Sequence, residues 1–398
     1  MLPKMTAELC ALDADGAPGD PRHRLRERHA LSQTTYALTF VHVYRIITAN
    51  YARHPPSLLP AFASQTRSPR NGYAAMIGAQ DMSSRPIRLG ISSCLLGEKV
   101  RFDGGHKRDP FLMHVLGQFM QWVRVCPEVE LGLGIPRESL RLVGTPEDPR
   151  LIAPRSQSDY TDAMQRFAAG CVERLASMDL HGYILKKDSP SCGMERVRVY
   201  DEDNTPQRHG RGLFAAALMQ RLPLLPVEEE GRLQDMRLRE NFVERVFAYY
   251  RWTALLAAHP TPDDLVRFHT QHKATLLAHS REHYQQLGRL VAQAGSLPWD
   301  EMLQEYGTLF MACLKVRATA KKHANVLYHL LGYLKKDLDI YDKEELVACI
   351  ENYRKGFVPL VVPLTLLKHH FKRHQIPWVL EQAYLQPYPA ELMLQNHV

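Results

Sequence analysis

Between Pro86 and about Gly231, short apolar runs alternate with longer amphipathic stretches. That alternation predicts a parallel sheet covered by helices on both faces. Four strands are expected, Ile87 to Ser92, Trp122 to Val125, Tyr183 to Lys186 and Pro223 to Val227, with helices near Asp109 to Gln121, Tyr160 to Met178 and Gly212 to Arg221. Every connection is long enough to hold the crossover helix that parallel pairing requires. Beyond Leu233 the strand signal fades. A helical period then runs through Gln234 to Ala257, Pro262 to Ala294, Trp299 to Leu334 and Lys343 to Lys355, broken by the prolines at 359 and 363, each of which removes a backbone donor. The expected architecture is an α/β domain with a short parallel sheet over residues 85–232, then an all-α domain over 233–398, with no fixed-period repeat.

The first 84 residues break this pattern, mixing Gly/Asp/Pro and Arg/His clusters with one apolar stretch, Tyr36 to Ile47, that is too short to span a bilayer. They read as an irregular, poorly ordered N-terminal extension. Residues 1–30 hold no apolar core of the kind a secretory signal needs. Met82 directly precedes the organised pattern, so translation is expected to start there, with the upstream residues a gene-start artefact.

Three of the seven cysteines, Cys94, Cys126 and Cys192, each follow an apolar run at a turn rich in Gly, Pro or Ser. If those runs are parallel strands, the three thiols meet at one carboxyl edge of the sheet, where open α/β folds place ligands. Cys10, Cys171, Cys313 and Cys349 read instead as small buried hydrophobes. An odd number of cysteines without a CxxC pair argues against a disulfide scaffold and for a reduced, cytosolic setting. From spacing alone, three readings of the trio stay open: a shared metal or iron–sulfur site, structural cysteines, or a lone nucleophilic thiol.

The motifs around these cysteines are Ser-Ser-Cys-Leu-Leu-Gly, Val-Arg-Phe-Asp-Gly-Gly, Cys-Pro-Glu-Val-Glu-Leu-Gly-Leu-Gly-Ile-Pro-Arg and Lys-Lys-Asp-Ser-Pro-Ser-Cys-Gly-Met. In them the chain resembles the thiouracil desulfidase family, and its helical continuation resembles the partner domain of two-domain tRNA 4-thiouridine desulfidases. The resemblance covers about residues 86–398. It implies a 4Fe-4S cluster held by Cys94, Cys126 and Cys192, with one iron lacking a protein ligand.

An open iron site suits the soft sulfur of a thiocarbonyl and makes its carbon electrophilic toward water, without a redox step. Attack needs a base, and Glu128, two residues after Cys126, is the expected one. Its alternative is an ion pair with Arg124 or Arg137, and Glu130 is its weaker competitor. Ser189 is the preferred catalytic partner. Ser189 or Ser191 can donate to the uracil oxygen or place the water, unless both merely close a turn. Lys186 is expected to meet a phosphate or cluster charge, and Asp103 to recognise the pyrimidine or pin its own loop.

Net charge is +7 with a pI near 9.0, which favours an anionic partner only where the charge clusters. From Tyr306 to Lys336 there are six Lys or Arg and no acidic residue. Lys315, Arg317, Lys321, Lys322 and Lys336 are therefore the expected RNA contacts, with Lys322, Asn325, His329 and Lys336 forming a ridge opposite Leu327, Leu330, Leu331 and Leu334. The bland reading is a solvated helix face. His269, His272, His279 and His283 share a helical face, better read as a partly buried or RNA-facing stripe than as a zinc site.

The activity so implied is non-redox, hydrolytic desulfuration of 4-thiouridine in tRNA, giving uridine and sulfide, with tRNA the partner and no membrane involved. Two rivals remain: the same chemistry on free thiouracil or thiouridine nucleotides, and a non-catalytic RNA-binding or redox-sensing protein.

Overall fold

The computed structural model describes residues 85–295 and 298–397. The expected extension over 1–84, with Cys10 and Met82, lies outside the described residues.

Strands β1 (Arg88–Ser92) and β2 (Gln121–Val125) are joined through a short helix α1 (Pro110–His114), and β2 runs through Cys126 into α2 (Pro127–Glu130). A hairpin follows, β3 (Arg141–Gly144) and β4 (Pro149–Ile152), then helix α3 (Thr161–Ala176) and strand β5 (Leu180–Leu185). Two more strands, β6 (Val197–Tyr200) and β7 (Pro206–Gly210), precede helix α4 (Leu213–Arg221) and strand β8 (Val227–Glu229).

β2, β1, β5 and β8 form one sheet in that order, all parallel. The expected four-stranded parallel sheet and the all-helical continuation are both present. The chain winds outward one way from β1 to β2 and the other way from β5 to β8, which opens a crevice at the carboxyl ends of β1 and β5. Leu89 and Ile91 of β1 and Ile184 of β5 bury one face of the sheet, while Tyr183 and Leu185 bury the other against Ala168, Val172 and Leu175 of α3 and Phe214 of α4. β1 and β5 can pack this way because position 90 is glycine: a Cβ there would sit 2.1 Å from the Tyr183 ring.

A second sheet, ordered β4, β3, β6, β7, lies outside the four strands expected from the sequence. Its strands are short, and β7 (Pro-Gln-Arg-His-Gly) exposes four of five residues, so it carries no apolar run. The crossover expected as one helix over Asp109 to Gln121 is α-helical only over Pro110–His114. Asp109 caps α1 by accepting from the Leu112 amide, and the chain leaves the helix for a tight 3-10 turn over Leu116–Gln118.

Helix α5 (Met236–Ala257) lies between the two halves of the fold. Phe242, Val243, Val246 and Phe247 pack on the β1 face of the parallel sheet, and Ala248, Trp252 and Leu255 enter the helical core beside Phe268, Tyr306 and Phe310. The remaining helices are α6 (Pro262–His279), α7 (Arg281–Ala292), α8 (Trp299–Lys315), α9 (Ala320–Tyr333), α10 (Ile340–Arg354), α11 (Val361–Arg373) and the short α12 (Pro377–Leu380). Two stretches expected as single helices are each broken by a hydroxyl N-cap. Ser280 accepts from the His283 amide to start α7, and Thr319 accepts from the Lys322 amide to start α9. Tyr388, Leu392 and Leu394 bring the end of the chain back onto the sheet-side core. Among the described residues no helix is long and apolar enough to cross a membrane.

Candidate functional site

Cys94, Cys126 and Cys192 all reach the carboxyl edge of the parallel sheet. Cys94 lies in the 3-10 turn that continues β1, closed by Gly97 in the left-handed region. Cys126 is the N-cap of α2, where Pro127 sets the first helical turn, and its amide donates to Glu130 Oε1 at 3.1 Å. Cys192 lies in the loop between β5 and β6. There the Ser189 hydroxyl accepts from the Cys192 amide at 3.0 Å and the Ser191 amide at 3.3 Å. Gly212 lets the start of α4 lie against this loop, since a Cβ would meet the Ser191 carbonyl at 2.4 Å.

The three cysteines line one cavity of about 460 Å³, together with Glu128, Arg137 and Lys186. Burial pushes the Cys94 thiol up to about 11, only partly offset by the Lys186 ammonium, and it raises Cys126 and, further, Cys192. Buried thiols of this kind are poor lone nucleophiles, because the thiolate is the reactive form. They suit a partner that replaces the proton with metal charge. Among the described residues no group of three or more His, Cys, Asp or Glu is set closely enough for a single ion. Iron–sulfur clusters are held by cysteine thiolates. The donor set, three soft sulfurs around one cavity, fits that group.

Glu128 faces the same cavity with both oxygens engaged. Arg137 forks onto Oε2 through Nη2 at 2.5 Å and Nε at 3.1 Å, while Ser191, fully buried, donates to Oε1 at 3.0 Å. The ion pair with Arg137, weighed from the sequence as the alternative to a catalytic role, is therefore formed, and it leaves the carboxylate on the cavity wall. Arg137 is itself anchored to the Val100 carbonyl at 3.0 Å. Arg124 pairs instead with Glu98 at 3.0 Å, and Glu130 pairs with Arg174 at 2.9 Å. Ser191, expected to touch substrate, serves Glu128 from behind the wall. Ser189 lines the cavity, with its oxygen accepting from the backbone of its own turn.

Lys186, just past the end of β5, is held by Glu230 Oε1 at 2.5 Å, and Glu230 Oε2 accepts the Lys187 amide at 2.7 Å. Sequence reasoning missed Glu230; its only signal is a run of glutamates at the end of the last strand. Asp103 is absent from the cavity wall. Its Oδ1 accepts the Gly105 amide at 2.9 Å, which with the Arg101 guanidinium holds the carboxyl below its usual range and ties the loop to itself.

In the helical half, Lys315, Arg317, Lys321 and Lys336 are exposed. Lys322 is not part of a free ridge, because its Nζ donates to the His279 carbonyl at 2.6 Å and caps the end of α6. Lys336 lies past the end of α9. The histidine stripe is core rather than RNA-facing. His269, His272 and His279 are buried and bonded to Tyr306 Oη, the Phe268 carbonyl and Glu244, whereas His283 belongs to the next helix.

The chain is similar to known proteins in both of its halves. A family model described as 2-thiouracil desulfurase matches residues 89–230. The uncharacterized protein YbbK of Bacillus subtilis (strain 168) is 32% identical over 108 residues, covering 26% of this chain and 71% of its own length. The chain belongs to the 2-thiouracil desulfurase family. A second model, DUF1722, a protein of unknown function, matches residues 273–389 of this desulfurase-family chain. The uncharacterized protein YbgA of Escherichia coli (strain K12) is 29% identical over 163 residues, 40% of this chain and 95% of its own length. Among solved structures, the 4Fe-4S-dependent thiouracil desulfidase TudS aligns with 28% identity and a TM-score of 0.31, over 37% of this chain and 94% of that one.

Proposed function

We propose that this desulfurase-family protein removes sulfur hydrolytically from a thiopyrimidine, and that its substrate is 4-thiouridine in tRNA. The observation that carries the proposal is the meeting of Cys94, Cys126 and Cys192 with the clamped carboxylate of Glu128 in one cavity. Cys94, Cys126 and Cys192 would hold a 4Fe-4S cluster with one iron free of protein ligands. When bound, that group supplies Lewis-acid polarisation of the C–S bond.

The chain's own residues do the rest. Glu128 takes the proton of the attacking water, while Arg137 and Ser191 fix its carboxylate toward the cavity. Ser189 presents a hydroxyl at the same wall for the base oxygen. Lys186, anchored on Glu230, places positive charge near Cys94. The C=S group and water become C=O and hydrogen sulfide, with no electron transferred. The exposed Lys315, Arg317, Lys321 and Lys336 support a polyanionic substrate.

Anaerobic incubation of cluster-reconstituted protein with 4-thiouridine-containing tRNA, followed by nucleoside quantification, tests this reading against a Cys94→Ala/Cys126→Ala/Cys192→Ala control. Loss of 4-thiouridine with the intact cysteines alone supports it. Intact tRNA alongside turnover of free 4-thiouracil moves the substrate to the free base.

A further inference from the structure

A second hollow, of about 250 Å³, adjoins the cysteine cavity and shares Leu140, Asp188 and Pro190 with it. Its other walls come from the second sheet, which none of the proposed chemistry uses. Arg141 of β3 stacks its guanidinium over the Tyr200 ring of β6 at 5.1 Å, and its Nη1 donates to Asn204 Oδ1 at 2.6 Å. Arg198, two residues before Tyr200 on β6, is exposed and lines the same hollow. Among the described residues no carboxylate pairs with Arg141 or Arg198, and Arg141 Nε is buried without an acceptor. One carboxylate, Asp188, stands at the rim shared by the two hollows, against two guanidinium groups beyond it.

We propose that this hollow is a ribose-phosphate subsite, so that the thiopyrimidine enters the cysteine cavity as a nucleotide unit and not as a free base. The order of groups along the wall matches the order of groups in a nucleotide. The base occupies the cysteine cavity. The ribose lies at the shared rim, where the Asp188 carboxylate accepts from a sugar hydroxyl and Pro190 and Leu140 supply apolar contact. The phosphate meets Arg198 and Arg141, whose planar, always-charged forks suit its oxygens. Stacking on Tyr200 and the bond to Asn204 hold Arg141 in place before ligand arrives, so little freedom is lost on binding. The proposal rests on the desulfidase reading for the identity of the base, and its test does not depend on turnover.

Equilibrium binding of uridine, uridine 5′-monophosphate and the trinucleotide UpUpU to the full chain reads the subsite directly. At low salt the wild type is expected to bind the monophosphate about 10-fold more tightly than uridine, a preference that shrinks as salt rises. In Arg198→Ala the ratio of the two affinities falls toward one, and in Arg198→Lys it is partly kept. A trinucleotide that gains further affinity over the monophosphate identifies a phosphodiester chain as the source of the phosphate, and equal affinities identify a mononucleotide. A wild-type ratio of one, or a ratio unchanged by Arg198→Ala, overturns the subsite, as does absence of binding by all three ligands. If the phosphate preference is present but the cluster-loaded protein desulfurates no thiopyrimidine, the desulfidase reading fails and the phosphate subsite stands.

Discussion

Ser191 Oγ donates to Glu128 Oε1 at 3.0 Å from a side chain with no solvent exposure. The hydroxyl thus serves the carboxylate, and the carboxylate faces the cysteine cavity. Glu128→Gln keeps the shape of the side chain but removes its capacity to take a proton. Sulfide release in a single turnover is expected to slow about 100-fold or more. Ser191→Ala leaves Oε1 without its donor, and the expected cost is about 1–2 kcal/mol of stability with a smaller loss of rate. Wild-type rates in Glu128→Gln would reduce Glu128 to the structural partner of Arg137.

The three cavity cysteines and the three others described separate cleanly. Cys94→Ala, Cys126→Ala and Cys192→Ala are each expected to lose bound iron and visible absorption after anaerobic reconstitution. Cys171→Ala, Cys313→Ala and Cys349→Ala, away from the cavity wall, are expected to keep both. Full iron loading in any of the first three sinks the ligand assignment.

Glu230 holds the Lys186 ammonium at 2.5 Å with both side chains largely buried. Glu230→Gln strands that charge, at an expected cost of about 3–5 kcal/mol in urea unfolding. Adding Lys186→Met should recover much of the loss, since it removes the stranded ammonium. A double variant no more stable than Glu230→Gln contradicts this account.

Burial, first of all, pushes His181, His269 and His323 down to about 4 and His272 down to about 3. They are neutral in the fold and titrate near 6.5 once unfolded. Between about 6.5 and 4 the unfolded chain therefore binds protons that the folded one does not, and stability falls as pH falls through that window. Glu240 acts in the opposite sense: burial and the Glu244 carboxylate hold it up at about 8, so its contribution is lost as pH rises toward 8. Four histidines outweigh that one carboxyl. The urea midpoint is expected to drop from about pH 6.5 to about 4.5, and His272→Gln should flatten that drop. A midpoint constant across the window contradicts the neutral-histidine core.

The parallel sheet was legible because strands buried on both faces carry short apolar runs, as in Tyr183 to Leu185. The second sheet was not, because its strands β3 and β6 are only four residues long and contain Arg141 and Arg198, and β7 is exposed at four of its five positions. Helix breaks at Ser280 and Thr319 depended on single hydroxyl caps inside otherwise continuous periodicity. At the site, the convergence of Cys94, Cys126 and Cys192 followed from strand ends alone. Arg137, 9 residues from Glu128, was in view as its ion-pair partner, but Ser191, 63 residues away on another loop, was not. Lys322 shows the opposite error: a basic residue on a helix reads as a ligand for phosphate until a neighbouring backbone carbonyl takes the charge.

Helix α5 falls between the two family matches, which end at 230 and begin at 273. Yet one of its sides seals the sheet through Phe242 and Val246, and the other enters the helical core through Trp252. A chain cut at the match boundary would bare the β1 face of the sheet beneath the edge that carries Cys94. The two halves therefore share a single wall, and neither can be loosened without opening the other.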